Sequence, residues 1–501
     1  MEQTDYGSPN GGRTVVGNRR RWAALVVLCL GQLMIVLDVT VVNVALPTIQ
    51  RELHFSQASL AWVVNAYLLT FGGLMLLAGR MGDILGRKRI FIAGLSAFTV
   101  ASLLCGLANS EALLITARFV QGAAAAFMAS MILGILVTVF TEPRERGMAM
   151  SLFAFVASSG GAIGLLVGGL LTEALSWHWI FFINIPIGLI ALLFGLVLIA
   201  DSPGLGFRHG VDWLGATLAV AAPTVAVYTI VKANEWGWGS GRTIGFGALT
   251  LGLLAAFLVV EAKVRNPLMP LRIFESRTRS VANGVRALFA VGMFGAFFMG
   301  ALYLQHVLGY SAVVTGLAFM PLNLMIGVLS AGITARIMLR VGLKATFVPG
   351  LALAALALLL FSRMPVDGKY VIDVLPPMIV FGLGAGLAFA PGVSLAMADA
   401  GPADSGLASG LANVTLQLGA ALGLAVLASV SESRTGHLLG GGEGVRAALT
   451  GGYHLAFLIG AACLATGVVL ASVLLRPTRP HRRPEREMRP SELARPGPET
   501  A

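Results

Sequence analysis

Long apolar runs separated by short polar stretches dominate the chain. They cover residues 22–46, 58–78, 90–108, 112–140, 149–172, 179–200, 213–232, 243–261, 282–305, 313–334, 345–362, 372–397, 406–430 and 452–475, fourteen in all. A helix crosses the hydrocarbon of a bilayer with about 20 mostly apolar residues. Each run therefore predicts one crossing, and the set predicts an all-α polytopic membrane protein with 14 transmembrane helices. An even number of crossings returns both ends of the chain to one side. The first run is too long for a signal-peptide core and is followed by no small-residue cleavage site, while Arg19, Arg20 and Arg21 stand before it.

The polar stretches orient these helices. With the N-terminus placed in the cytoplasm, 26 of the 35 Lys and Arg residues fall in inside segments, seven fall outside, and Arg118 and Arg286 lie within the spans. Cytoplasmic loops carry the excess of basic residues, so a plasma-membrane protein with both termini cytoplasmic is predicted. No polar stretch is long enough to bury a soluble core. The longest are residues 1–21, the linker 261–280 and the Pro/Arg-rich tail after Arg476, and the tails read as disordered.

Composition agrees with the pattern. Hydrophobic residues make up 56% and charged residues 12% of the 501, and the mean hydropathy is +0.83; soluble domains carry roughly 25% charged residues. The formal charge of +11 does not mark a nucleic-acid partner, because the basic residues are scattered and line no aromatic groove. Cys29, Cys105 and Cys463 sit in apolar runs without metal spacing and read as small buried residues. The seven histidines are dispersed, no GxxxxGK[ST] phosphate loop occurs, and no cofactor, metal or catalytic site is called for.

A weak internal repeat is visible. Ala335-Arg336-Ile337-Met338-Leu339-Arg340-Val341-Gly342-Leu343-Lys344 aligns without gaps on Gly79 to Lys88, with Leu339 in place of Asp83. Parallel repeats around a shared substrate site are a plan of rocking-type transporters. The predicted organisation is a tail (1–21), a six-helix bundle (22–200), two inserted helices with a cytoplasmic loop (201–280), a second six-helix bundle (281–475) and a second tail (476–501).

Gly79-Arg80-Met81-Gly82-Asp83-Ile84-Leu85-Gly86-Arg87-Lys88-Arg89 reads as a cytoplasmic hairpin in which paired glycines allow a tight turn. Asp83 stands among four basic residues. A carboxylate at that rim can cap a helix N-terminus of the other half, braced by Arg87, and so latch the cytoplasmic side; simple anchoring of the loop is the other reading.

Charge inside hydrocarbon calls for a reason. Asp38 lies about 24 Å from the inner surface of a core about 30 Å thick, and Arg118 about 9 Å below the outer surface. The depths nearly coincide, so the two can pair. A neighbouring guanidinium favours the carboxylate while desolvation favours the acid, a balance suited to reversible protonation. Asp38 is the candidate proton carrier, with Arg118 and Gln121 modulating it; a purely structural ion pair is the alternative. Gly160, Gly161, Gly164, Gly168 and Gly169 crowd the fifth helix, where small residues permit close helix packing. Arg286, near the inner end of the ninth run, is expected to snorkel. Glu173, Asp212 and Glu261 stand at helix ends, where solvation is expected.

Several of these stretches resemble one family, the fourteen-helix branch of drug/proton antiporters in the major facilitator superfamily. Leu37-Asp38-Val39-Thr40-Val41-Val42-Asn43-Val44-Ala45-Leu46-Pro47 is similar to its first-helix motif, Gly79 to Arg89 to the superfamily's loop motif, and Arg118-Phe119-Val120-Gln121-Gly122 to its fourth-helix motif. Residues 177–188, Tyr303-Leu304-Gln305 and Gly406 to Gln417 extend the likeness over nearly the whole chain. The resemblance implies proton coupling at Asp38 and Arg118, a cytoplasmic latch of Gly79, Asp83, Gly86 and Arg87, and support from Gln121, Gly122, Gly164, Gly168 and Gly169. It implies efflux of amphipathic or cationic small molecules, drugs or antibiotics among them, against protons in a lipid bilayer. The alternatives are an exporter or importer of a single metabolite and a non-transporting membrane sensor. One position departs: Leu165 stands where the exporters carry proline, so the resemblance supplies neither a proline kink nor the support that proline lends to export. The oligomeric state is left open, a monomer included.

Overall fold

The computed structural model describes residues 18–201, 204, 206, 212–264, 266–399 and 405–475. The tails predicted before residue 18 and after residue 475, and Arg208 and Arg265 of the basic loops, lie outside these. The first part of the chain forms α1 (Asn18–Leu53), α2 (Gln57–Leu60), α3 (Trp62–Leu85), α4 (Arg87–Gly106), α5 (Glu111–Val139), α6 (Pro143–Ala174), α7 (Trp179–Phe182) and α8 (Asn184–Leu198). Next come α9 (Trp213–Trp236) and α10 (Gly241–Lys263), an antiparallel pair. The last part forms α11 (Arg277–Leu302), α12 (Ala312–Ala318), α13 (Met320–Val328), α14 (Thr334–Val341), α15 (Leu343–Phe361), α16 (Leu375–Ala396), α17 (Ser405–Gly440) and α18 (Val445–Leu474).

Among the described residues, twelve helical stretches are long and apolar enough to cross a membrane, and Ile163–Ala174 and Ala312–Val328 are shorter apolar helices. Lipid offers backbone groups no partner, so a spanning segment must satisfy its own N–H and C=O groups, as these helices do. Side chains with oxygen acceptors start them: Ser110 caps α5, Asp212 α9, Ser240 α10 and Ser276 α11, each accepting a first-turn amide.

The helices overrun the apolar runs that predicted them. The backbone ladder of α1 continues through Pro47 to Leu53 and stops where His54 turns the chain at φ 58°. At Gly79–Arg89 the predicted hairpin is narrower than expected. Gly79 and Gly82 remain helical because α3 runs to Leu85, and the whole reversal falls on Gly86 at φ 96°. The repeat reproduces this geometry: α14 ends at Val341, Gly342 turns the chain at φ 93°, and α15 begins at Leu343. The tenth predicted span is broken, with a wide π turn over Leu329–Ile333 and Gly332 at φ 123°.

Helices α1, α3, α4, α5, α6 and α8 pack among themselves, as do α11, α13, α15, α16, α17 and α18. The two sets meet where α3 lies on α17 and α6 on α12. Helix α10 packs on α9 and otherwise presents an exposed apolar surface. After it, Leu271–Phe274 forms a short 3₁₀ turn whose Ile273, with Met269, packs on Leu407, Ala408 and Leu411 of α17. At the Gly86 face the sets stand apart around a cavity of about 700 Å³, lined by Gly79, Asp83 and Arg87 on one side and by Ser409, Gly410 and Asn413 on the other.

Candidate functional site

Asp38 of α1 and Arg118 of α5 meet deep among the first set of helices, as their depths predict. They are 0% and 1% exposed. Arg118 Nη1 donates to Asp38 Oδ2 at 2.5 Å. Gln121, one turn from Arg118 and so on the same helix face, bridges the pair: its Nε2 donates to Asp38 Oδ1 at 2.7 Å, and its Oε1 accepts from Arg118 Nη1 at 2.8 Å. Gln121 Nε2 also donates to Ser102 Oγ of α4 at 2.8 Å, and Cys105 Sγ donates to Gln121 Oε1 at 3.4 Å. Arg118 Nε donates to the Val63 carbonyl of α3 at 2.8 Å, and the guanidinium lies 4.5 Å from the centre of the Tyr67 ring.

Both carboxylate oxygens are engaged, and the acid and base cancel in charge. That satisfaction makes the burial tolerable, since desolvating two ions is repaid only by good geometry and further hydrogen bonds. A proton on Asp38 removes the countercharge of Arg118, whose remaining partners are a carbonyl, an amide oxygen and aromatic faces.

Ser102, Cys105, Tyr67 and the Val63 carbonyl escaped the sequence reading. A signal existed for Ser102: twelve residues above Ile90, it stands about 18 Å into its span, near the depth of Asp38.

The packing residues are also placed. A Cβ on Gly122 would strike the Tyr67 carbonyl and Thr70 Oγ1, so glycine lets α5 close on α3. Gly164 faces Thr40, and a Cβ on Gly168 would sit 2.8 Å from Val41 Cα, which brings α6 against α1. Gly169 faces the other set, where a Cβ would lie 2.7 Å from the Ala312 carbonyl oxygen. Helix α6 runs unbroken past the buried Leu165, whose carbonyl lies against Gly316.

Asp83 pairs with Arg87 of its own set at 3.6 Å, and Arg87 Nη1 donates to the Gly134 carbonyl at 2.9 Å. Gly79 opens onto the cavity, with no atom within 4 Å of a Cβ there. Residues 400–404, which precede α17 in sequence, lie outside the described residues.

Three other expectations are corrected. Arg286 does not snorkel: it is 4% exposed, packs beside Gly392, and its Nη1 has no hydrogen-bond partner. Its side chain turns inward toward α16 rather than along the lipid surface. Asp212 and Glu261 are buried rather than solvated, because the ends of α9 and α10 and the following loop close over them. Asp212 Oδ1 accepts from Gly215 N at 2.7 Å and Glu261 Oε2 from Met269 N at 2.9 Å. Glu173 is exposed, yet it accepts from Val313 N at 3.2 Å.

Two sets of membrane-crossing helices around a cavity, with a sealed ion pair inside one set, define a polytopic membrane transporter. Residues 28–424 match the Major Facilitator Superfamily, and the chain belongs to that superfamily. It is similar to the puromycin resistance protein pur8 of Streptomyces alboniger, 40% identical over 462 residues that cover 91% of this chain and 92% of that one. It is also similar to the cephamycin export protein CmcT of Amycolatopsis lactamdurans, 39% identical over 414 residues, 82% of this chain and 85% of that one. In fold it is similar to the POT family transporter PepTSo, with a TM-score of 0.66 at 15% identity over 91% of this chain and 99% of that one. The protein is thus a multi-pass membrane transporter related to drug and antibiotic resistance exporters.

Proposed function

We propose that the protein exports amphipathic or cationic organic compounds, antibiotics among them, in exchange for protons. Two six-helix bundles, residues 22–200 and 281–475, rock about a central path; the two inserted helices of 201–280 bring the crossings to fourteen, with both termini cytoplasmic. Asp38 carries the proton, and Arg118 and Gln121 set when it binds. Asp83, Arg87, Gly79 and Gly86 latch the cytoplasmic face in the alternate conformation, and Gly122, Gly164, Gly168 and Gly169 keep the helices close enough to seal the path.

The observation that carries this reading is the buried Asp38–Arg118–Gln121 network, an acid and its countercharge sealed together inside the first set of helices. The relatives' names supply the substrate class. In proteoliposomes, Asp38→Asn should lose pH-gradient-driven transport by at least about tenfold while retaining substrate exchange in the absence of a gradient. Full gradient-driven activity in that variant removes Asp38 from the coupling scheme. A narrower reading, export of one compound, is favoured by the single antibiotic in each relative's name. Everted vesicles given a panel of unrelated drugs separate the two, since broad uptake sinks the narrow reading.

A further inference from the structure

Two glutamates outside the charged network join the two sets of helices, and they do so in matching ways. The site lies on the face opposite Gly86. There α1 ends, His54 turns the chain at φ 58°, Phe55 follows, and Ser56 starts α2. In the second set the π turn Tyr303–Val307 ends, Gly309 turns the chain at φ 72°, Tyr310 follows, and Ser311 starts α12. Each serine accepts the amide three residues on, Ser56 from Ser59 at 3.0 Å and Ser311 from Val314 at 3.4 Å.

The amide one residue earlier has no carbonyl within its own helix to reach. In both places it goes to a glutamate of the opposite set. Ala58 N donates to Glu432 Oε2 of α17 at 3.1 Å, and Val313 N donates to Glu173 Oε2 of α6 at 3.2 Å. The step from Ser56 to Ser311 is within one residue of the step that aligns Gly79 with Ala335. The two contacts are thus copies of one device, exchanged between the repeats. Between them Gln305 Nε2 donates to the Val44 carbonyl at 2.8 Å, again from one set to the other.

We infer that Glu173 and Glu432 are reciprocal positioning residues that hold this face shut, and that both bonds break when the path opens there. The inference rests on the alternating-access reading above. Charge-assisted bonds to backbone amides are strong enough to bias a conformation. Exposure of Glu173 and half-burial of Glu432 keep each weak enough to release in a transport cycle. Glu432, the more buried, should hold harder.

The test is the rate at which a water-soluble maleimide labels an introduced cysteine in the purified full chain with Cys463→Ser, above the labelling of that parent, whose remaining Cys29 and Cys105 are buried. Ala61→Cys, 0% exposed beside α2, reports opening of this face, and Ser409→Cys on the wall of the cavity reports the opposite face. Glu173→Ala with Glu432→Ala should raise labelling at Ala61→Cys about tenfold and lower it at Ser409→Cys. Glu432→Gln alone, which keeps an acceptor oxygen, should give a smaller rise. Glu443→Ala, exposed at the same face between α17 and α18, should move neither. Unchanged labelling in the double variant overturns the inference, and so does a rise at both cysteines, which reports general loosening. Shifted labelling without export of any compound keeps the latch and removes the transport reading. Export with unmoved labelling does the reverse.

Discussion

The two sets of helices share a scaffold but handle buried charge differently. Gly86 and Gly342 make the same turn, and His54 and Gly309 make another. Within the first set, Asp38 and Arg118 neutralise one another and every polar atom of the carboxylate is bonded. Within the second, Arg286 is buried with an unpartnered nitrogen. The acid of the repeated turn is likewise missing there, replaced by Leu339, 76% exposed. The repeat has kept its backbone geometry and let its charges diverge, so the paired-charge chemistry is concentrated in the first set.

The largest effect should come from breaking the paired side. Arg118→Ala leaves Asp38 buried with only Gln121 as a partner, and an uncompensated buried charge costs about 3–5 kcal/mol. Thermal unfolding in detergent should show that loss. Arg118→Lys keeps the charge but not the fork that reaches Val63, Gln121 and Asp38 together, so it should fall between Arg118→Ala and the native protein. Native-like melting of Arg118→Ala would mean that the pair does not hold these helices together.

A smaller loss is expected at the seam. Gly169→Val puts a side chain where a Cβ already lies 2.7 Å from the Ala312 carbonyl oxygen, so α6 must part from α12. Overpacking of this kind costs about 1–3 kcal/mol, and labelling at Ala61→Cys should rise with it. Gly245→Val on α10 meets nothing within 4 Å and should be close to neutral. Equal effects at the two glycines would show that helix propensity, rather than the seam, is being measured.

The sequence made depth legible but not direction. A fixed rise per residue brought Asp38 and Arg118 to one level, and Gln121 followed from its place one turn along α5. Depth gave no warning that Arg286 faces inward, because the facing of a side chain depends on which helices pack beside it. Acids at helix ends are usually solvated, and that rule failed at Asp212 and Glu261 because a loop folds over them. Nothing in the sequence indicated that Glu173 accepts the Val313 amide, because Val313 stands 140 residues away. Helix ends differed because hydropathy marks where lipid stops, whereas the backbone ladder continues until a turn such as Gly86 ends it.

The smallest effect should come from the unpaired side, and it is the sharpest check on the comparison. Arg286→Met keeps much of the side-chain volume and removes a nitrogen that has no partner, so stability should be unchanged or higher by about 1 kcal/mol. Arg279→Met is the contrast, one stretch earlier on α11. Its guanidinium donates to the carbonyls of Ile273 and Ala398 at 2.9–3.1 Å, and its loss should cost about 1–3 kcal/mol. Export by Arg286→Met should match the native protein if the second set provides scaffold and wall alone. A variant that melts like the native protein yet no longer exports would show that Arg286 meets an anion in another conformation. The division of labour between the two sets would then be false.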